Sequence, residues 1–228
     1  MTPERSRCLE TLARLILRID RPHPVRVGID GPDAAGKTTL ADELARVIER
    51  SGRPVIRASI DGFHRPRAAR LARGPESPEG YFFDSFDYRA LRAALLDPLG
   101  RGGSRSFRRR VFDFRTDEPV AAPTEVAPVN AVLVFDGVFL LRAELIDEWD
   151  FSVFVAAPFA ETQRRAAARD GALFGSEESV RHRYAARYLP GQRLYYGKAR
   201  PMEKADAVLD NGDPDHPSLR LDRSDRMG

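Results

Sequence analysis

The chain of 228 residues is 42% hydrophobic and 31% charged, with 37 basic and 34 acidic residues and a formal net charge of +3. That balance belongs to a soluble globular chain with a core of its own, and so small a net charge argues against a dedicated nucleic-acid binder. The single cysteine, Cys8, excludes an internal disulfide and a cysteine-based zinc site, and the histidines His23, His64, His182 and His216 have no metal-ligand spacing.

Thr2-Pro3-Glu4 sets a capping residue before a proline at the first helical position. Leu9, Leu12, Ala13, Ile16 and Leu17 follow at helical spacing, which predicts a helix from about Pro3 to Arg18. The N-terminal residues lack the basic, apolar, small order of a signal peptide. Asp20 to Pro24 breaks the pattern. Val25 to Asp30 reads as a buried strand, Lys37 to about Glu49 as a helix with Leu40, Leu44, Val47 and Ile48 on one face, and Val55 to Ile60 as a second strand. Strand, loop, helix and strand make the βαβ unit of a parallel sheet. From Gly62 to Tyr81 arginine, proline and glycine dominate, so an irregular loop is expected, of the kind that carries function or is disordered. A helix is predicted over Tyr88 to Leu96, stopped by Pro98. Arg105 to Phe114 and Val120 to Val126 alternate weakly around Thr116-Asp117-Glu118-Pro119 and read as an inserted β-hairpin. Next come a buried strand at Ala131 to Phe135, a short helix at Arg142 to Glu148 and a strand at Phe151 to Ala156. Helices follow at Pro158 to Asp170 and about Glu177 to Tyr188, then a last strand at Ala207 to Asp210. The apolar run Ala131 to Leu141 contains Asp136 and is too short to cross a bilayer. The tail from Asn211 is polar, carries two prolines and is expected to fray at its end.

Gly31-Pro-Asp-Ala-Ala-Gly36-Lys37-Thr38 satisfies the pattern G-x-x-x-x-G-K-[ST] between an apolar strand and a helix. In such a phosphate loop the glycines let the backbone curl so that consecutive N–H groups face a phosphate chain. The helix beginning near Lys37 turns its positive end to the same anion. The nucleotide-binding residues expected are Gly31, Asp33, Ala34, Ala35, Gly36, Lys37, Thr38 and Thr39, with Lys37 on the β- and γ-phosphates and the Thr38 hydroxyl on Mg²⁺. A coincidental glycine turn is the alternative. Asp136, at the end of a buried strand, either completes the metal site or caps a turn. Gly137 follows it where many mechanical ATPases have Glu, and no Asn-Lys-x-Asp motif of a GTPase switch occurs. Asp61 is either a base that takes the proton of a substrate hydroxyl or the turn residue of an Asp-Gly pair. Arg165 and Arg169, four residues apart, share a helix face that either neutralises a transferring phosphoryl group or is solvated.

Together these residues resemble the uridine/cytidine kinase family of P-loop kinases, whose relatives include phosphoribulokinase, bacterial pantothenate kinase and nicotinamide riboside kinase. The resemblance runs from about Val25 to Asn211. Ser59-Ile-Asp61-Gly-Phe63-His64 is similar to the family's Asp-x-Phe-Tyr segment, whose Asp is the catalytic base. Val132 to Gly137 resembles its strand ending in Glu-Gly, Arg165-Ala-Ala-Ala-Arg169-Asp170 its arginine lid, and Ala205-Asp206 with Asn211 its closing segment. Phe83-Asp84-Ser85-Phe86-Asp87 matches Pro-Asp-Ala-Phe-Asp, and Val111-Phe112-Asp113-Phe114 matches Val-Tyr-Asp-Phe. The departures are Asp136 for Glu, Ala166 for a second lid arginine, and Gly171-Ala-Leu-Phe-Gly175 for a further Arg-Gly-Arg. Tyr81 stands for a ribose-holding Asp, Phe112 lacks the tyrosine hydroxyl, Asp117 stands for a base-reading His, and Arg183 for a common Gln. The phosphoryl-transfer residues thus match and the nucleoside pocket does not, and changed polar groups change the substrate a pocket accepts.

The resemblance implies an α/β P-loop NTPase fold in a single domain: a doubly wound, mainly parallel five-stranded sheet. It carries an acceptor loop over 62–86, an inserted hairpin over 105–126, lid helices over 159–188 and a tail over 211–228. It implies ATP and Mg²⁺ as cofactors, Lys37, Asp61, Arg165 and Arg169 as catalytic residues, and Thr38 and Asp136 at the metal. Acceptor contacts fall at His64, Tyr81, Asp84, Phe112, Asp117 and Arg183. The activity implied is a kinase of a small-molecule alcohol, first of all the 5′-hydroxyl of uridine or cytidine. Another alcohol (nicotinamide riboside, pantothenate, a sugar acid) and a non-catalytic nucleotide-binding switch are the alternatives. A cytoplasmic location is expected, with neither nucleic acid nor membrane as partner; a homo-oligomer is left open. Of the 37 basic residues all but Lys37, Lys198 and Lys204 are arginine, and their match in number to 34 acidic residues needs no functional explanation.

Overall fold

The computed structural model describes residues 1–174 and 176–222. Gly175, in the stretch that replaces the family's further lid arginines, and residues 223–228 of the tail lie outside the described residues. Helix α1 (Pro3–Leu17) begins at the expected cap, where the Thr2 hydroxyl accepts from the Arg5 N–H. Strand β1 (Val25–Asp30), helix α2 (Lys37–Arg50) and strand β2 (Val55–Ser59) follow as predicted within a residue. A 3₁₀ turn at Ile60–Phe63 leads into α3 (Arg67–Arg70) and α4 (Pro78–Asp84). The segment expected to be irregular up to Tyr81 therefore ends in a helix. Its signal was present: Ser77-Pro78-Glu79 repeats the start of α1, and the Ser77 hydroxyl accepts from the Gly80 N–H at 3.0 Å.

Helix α5 (Tyr88–Leu91) widens into a π turn at Arg92–Leu96 before Pro98. The hairpin forms as two nested antiparallel ladders of two residues each: β3 (Ser106–Phe107) with a strand at Glu125–Val126, and β4 (Phe112–Asp113) with β5 (Glu118–Pro119). The Glu125–Val126 strand is β6, and β7 (Val132–Asp136) and β8 (Phe151–Ala156) follow. The helix expected at Arg142 to Glu148 contracts to a 3₁₀ turn at Ile146–Glu148. Tertiary contacts override its propensity: the buried Arg142 guanidinium donates to the Phe82 carbonyl at 2.9 Å and the Tyr88 hydroxyl at 2.8 Å.

Helix α6 (Phe159–Phe174) is followed by α7 (Glu177–Arg183), a π turn at Tyr184–Tyr188 and α8 (Leu189–Ala199). The helices therefore run past the expected end at Tyr188. Pro190 falls in the first turn of α8, directly after the π turn, where its missing N–H is tolerated and the helix continues. Short α9 (Pro201–Lys204) leads to β9 (Ala207–Asp210) and to β10 (Ser218–Leu221) in the tail.

The main sheet has six strands in the order β10-β9-β8-β1-β7-β2, not five. Five are parallel, and β10 adds antiparallel to the β9 edge with Leu219 opposite Leu209. Four residues between polar turns give too short an alternation to read alone; β10 exists because β9 offers an unpaired ladder. Side chains alternate across the sheet. Val132 and Val134 pack with Leu12, Ile16, Leu40, Leu44 and Ile48 under α1 and α2. Leu133 and Phe135 face Phe63, Leu95, Phe139 and Tyr195 on the other side. No helix among the described residues is long and apolar enough to cross a membrane.

One buried polar contact docks α8 onto the sheet. The Tyr195 hydroxyl donates to the carboxylate of Asp30, which is fully buried and also accepts from the N–H groups of Gly31 at 2.7 Å and Leu141 at 3.2 Å. Burial pushes the Asp30 carboxyl up to about 6 against the pull of these donors and Lys37. Its folded value exceeds its unfolded one, so its contribution to stability is complete at acidic pH and is lost as pH rises through about 6. Tyr195→Phe removes a donor that favours the charged form. It is therefore expected to cost about 1–3 kcal/mol at pH 8 and less at pH 5, read from urea unfolding at the two pH values. A second expectation concerns packing. A Cβ at Gly28 would lie 2.7 Å from Cδ2 of Trp149, whose indole donates to the Leu140 carbonyl at 2.9 Å and stacks on Phe135. Gly28→Ala should lower stability by about 1–3 kcal/mol, seen as a lower urea midpoint at unchanged slope.

Candidate active site

Parallel strands finish at the same edge of a sheet, and three of them deliver acidic residues there. Asp30 ends β1, Asp136 ends β7 opposite Ile29 and Ser59, and Asp61 follows β2 in the 3₁₀ turn. Residues 31–36 form the expected loop. Gly31 at φ +150° and Gly36 at φ +96° hold backbone conformations that a side chain opposes. Space forbids one too: a Cβ would meet the Val155 carbonyl oxygen at 2.4 Å from Gly31 and Asn211 Nδ2 at 2.6 Å from Gly36. Ala34 adopts φ +58° between them, and Ala35 is fully buried. Gly36 caps α2 without a side-chain hydrogen bond, so the first N–H groups of that helix face the loop opening.

Lys37 is buried and its ammonium donates to the Pro32 carbonyl at 2.7 Å. The Thr38 hydroxyl donates to Asp136 Oδ2 at 2.6 Å, while Thr39 is exposed beside it on the first turn of α2. Asp136 is buried, and its other oxygen accepts from Arg57 Nη2 at 3.1 Å. Arg57 also donates to the Val134 carbonyl at 2.6 Å and pairs with Asp42 at 2.9 Å, so the carboxylate is clamped with one oxygen toward Thr38.

Asp61 opens to solvent at the sheet edge with protein packed around it. That packing pushes its carboxyl above the usual carboxylate range. His64 opposes the rise, Asp136 and Asp33 add to it, and Lys37 opposes it, which sets Asp61 in the field of the loop. The His64 ring lies between Phe86 and Phe114, with centroids 4.6 and 4.8 Å away, and Nδ1 is 3.1 Å from the Asp61 carbonyl oxygen. Burial lowers the affinity of that imidazole for a proton. The hairpin closes on this turn, where the Val111 N–H donates to the Gly62 carbonyl at 2.9 Å and Phe112 is buried.

The other acceptor candidates are distributed differently. Tyr81 is buried, and its hydroxyl donates to Asp33 Oδ2 at 2.6 Å. Burial and Asp33 push the phenol well above its usual range, so it remains a donor. The Asp33 side chain thus turns to Tyr81 and to Gln192 of α8, whose Nε2 donates at 2.8 Å. Asp84 pairs with Arg73 at 2.6 Å, and Asp117 accepts from the Arg67 N–H at 2.8 Å and from Arg70 at 3.1 Å. Arg183 is exposed in the last turn of α7. On α6, Arg165 donates to Glu161 at 2.7 Å and to the Asn211 and Gly212 carbonyls at 3.0 and 2.9 Å; Arg169 lies one turn further along and is exposed.

Asp30, Arg57 and Gln192 were not singled out in sequence. Asp30 carried a signal, since an acid closing an apolar strand directly before the loop has to be satisfied there. Arg57 carried a weaker one, a charge inside a short strand. Gln192 lies in a helix that its own sequence conceals.

The sequence profile of the phosphoribulokinase/uridine kinase family matches residues 26–210. A pantothenate kinase of Rhodopseudomonas palustris strain BisB18 is 32% identical over 187 residues, covering 73% of this chain and 57% of that protein. Uridine-cytidine kinase B of Dictyostelium discoideum is 28% identical over 196 residues, covering 83% of this chain and 76% of that protein. The chain thus spans little more than half the length of the pantothenate kinases it matches. Among solved structures, that of a possible uridine kinase from Bacillus stearothermophilus superposes with a TM-score of 0.71 at 23% identity, over 90% of this chain and 98% of that one. D-glycerate 3-kinase from Cryptococcus neoformans does so with a TM-score of 0.58 at 11% identity, over 89% and 94%. At those identities the structures speak to the fold, which is that of the P-loop kinases. With the profile spanning most of its length, the chain belongs to the phosphoribulokinase/uridine kinase family.

Proposed function

We propose that the chain is an ATP- and Mg²⁺-dependent kinase of a small-molecule alcohol. The observation that carries this reading is one convergence at the sheet edge. There a left-handed glycine loop, a hydroxyl–carboxylate pair at 2.6 Å (Thr38 and Asp136) and Asp61 with raised proton affinity face one another. The residues fit the cofactor. Side chains at Gly31 and Gly36 would fill the cradle, and the Thr38 and Asp136 oxygens are the hard ligands Mg²⁺ prefers. Among the described residues no group of three His, Cys, Asp or Glu side chains is gathered for a metal. That suits a cation held by one or two protein oxygens together with phosphates. Bound there, the nucleotide and metal supply an electrophilic phosphorus and neutralise the charge around it.

The chain's own residues do the rest. Loop N–H groups hold the phosphates, and Lys37 exchanges the Pro32 carbonyl for phosphate oxygens. Arg57 keeps Asp136 aimed at Thr38. Asp61 accepts the proton of the acceptor hydroxyl as its oxygen attacks, and its raised affinity suits that task. Arg165 and Arg169 close over the transferring group from α6. The segment 62–86 and the hairpin form the acceptor pocket. Relatives are named pantothenate kinase and uridine-cytidine kinase, and both acceptors belong to the class. Tyr81 is committed to Asp33, and Asp117 to Arg67 and Arg70. Both therefore offer a pyrimidine nucleoside less than the family pattern does, which favours a different alcohol within that class.

An ADP-release assay over uridine, cytidine, pantothenate, nicotinamide riboside and small sugar acids is expected to show acceptor-dependent turnover with one of them. Nucleotide binding with no acceptor-dependent release throughout would return the chain to a non-catalytic switch. Asp61→Asn should lower kcat by about 10²–10⁴-fold and leave nucleotide affinity within about twofold. In the wild type, kcat/KM should rise with pH through a limb above the ordinary carboxylate value of about 4, because the base works only when deprotonated; that limb should vanish in Asp61→Asn.

A further inference from the structure

Between Gly31 and Gly36 the phosphate loop holds one acid, Asp33, and a carboxylate is repelled by a phosphate chain. The fold draws it toward α4 and α8. The Tyr81 hydroxyl donates to Asp33 Oδ2 at 2.6 Å, and Gln192 Nε2 donates to the same oxygen at 2.8 Å. Among the described residues no donor reaches the other oxygen, Oδ1. Gln192 is only 1% exposed, and its Oε1 is buried with no hydrogen-bond partner among the described residues. The carboxylate fixes which way round the amide lies, since only Nε2 can donate to it. Helices α8 and α4 meet in direct contact here, because a Cβ at Gly191 would lie 2.7 Å from Cδ1 of Tyr81.

This corner joins the loop to the segment 62–86, to which Tyr81 belongs. The charge of Asp33 acts on both Asp61 and His64. Asp33 and Asp61 therefore border one space, the second for the reacting hydroxyl and the first beyond it. What the corner can take follows from its atoms. Asp33 Oδ1 and Gln192 Oε1 accept hydrogen bonds and cannot donate them. A carboxylate or phosphate on the acceptor would be repelled there. An ammonium would forfeit far more hydration on entering than a neutral hydroxyl does.

We infer that Asp33 is a specificity-determining residue that accepts a hydrogen bond from a second hydroxyl of the alcohol substrate, and that Gln192 is the positioning residue that turns its open oxygen to that substrate. The inference deepens the kinase reading proposed above and rests on it. Asp33 then serves the acceptor and not the nucleotide. The substrate class narrows to alcohols with a further hydroxyl near the one that is phosphorylated.

Pairs of acceptors that differ in the neighbouring hydroxyls test it on the full chain: D-glycerate with 3-hydroxypropionate, pantothenate with its 2-deoxy form, and uridine with 2′,3′-dideoxyuridine. ADP release gives kcat and KM, and calorimetry gives ADP affinity. For the acceptor that turns over, the wild type should prefer the full compound to its deoxy analogue by about 10–100-fold in kcat/KM. Asp33→Asn keeps an oxygen for Tyr81 and removes the charge. It should raise KM for the full compound, cut the preference to within about threefold and leave ADP affinity within about twofold. Gln192→Met fills the same space without the donor and should erode the preference in the same direction at wild-type ADP affinity, a second reading should Asp33→Asn fail to fold. A wild type indifferent to the missing hydroxyl overturns the substrate class and spares the kinase reading. Full preference in Asp33→Asn overturns the role of Asp33, and full preference in Gln192→Met that of Gln192. An equal loss of ADP affinity and acceptor preference would make Asp33 a brace for the loop and overturn the inference. Nucleotide binding with no turnover of any acceptor rejects the kinase reading, and this inference with it.

Discussion

A loop that must present bare N–H groups to an anion cannot use those groups to hold itself together. Residues 31–36 meet this constraint by borrowing partners from distant parts of the chain. Tyr195 satisfies Asp30 at the root of the loop, Tyr81 and Gln192 hold the Asp33 side chain, and Asn211 takes the Ala35 carbonyl. Two of these four residues lie on α8, so the docking of one helix and the shape of the loop are a single problem. The same arrangement accounts for the buried acid. Asp30 is tolerated because three donors converge on it, although burial still lifts its proton affinity.

The arginine excess resolves into structure for the most part. Arg142 is flanked by the rings of Phe82 and Tyr88 and forks onto Glu144. Arg187 is buried and gathers the carbonyls of Arg70, Gly74, Pro75 and Ser77, which ties the stretch 70–77 to the π turn after α7. Arg109 forks onto Glu125 inside the hairpin. In each case a planar fork closes several acceptors at once, a task an ammonium performs poorly. Lys37 is the complement. Its point charge donates to one carbonyl, that of Pro32, where a planar fork would need several acceptors.

The parts legible in sequence share one physical trait: each is decided by residues close together. The caps of α1, the apolar strands, the glycine positions of the loop and the place of Asp136 at a strand end can be reasoned from spacing alone. What was misread depended on partners elsewhere. The turn at Ile146–Glu148 forms because Arg142 is drawn away to Phe82 and Tyr88, α8 survives Pro190 through a preceding π turn, and β10 needs the open edge of β9. Only α4 was legible and overlooked, since its Ser-Pro-Glu start copies that of α1.

The division at the site follows the same line. Sequence by itself determined that a phosphate loop follows an apolar strand, that a carboxylate ends a second strand and that an acid follows a third, because strand and loop periodicity are local. Tertiary structure alone decided which of the remaining polar groups stay available. Tyr81, Asp117 and Asp33 read as contacts for a ligand, and the fold turns each onto a partner within the chain. Arg57 and Arg5 were not singled out in sequence, and the fold sets Arg57 against Asp136 and Arg5 against Asn211. A hydrogen bond is short and directional, so whether a polar side chain faces a ligand or a neighbour rests on where distant segments meet.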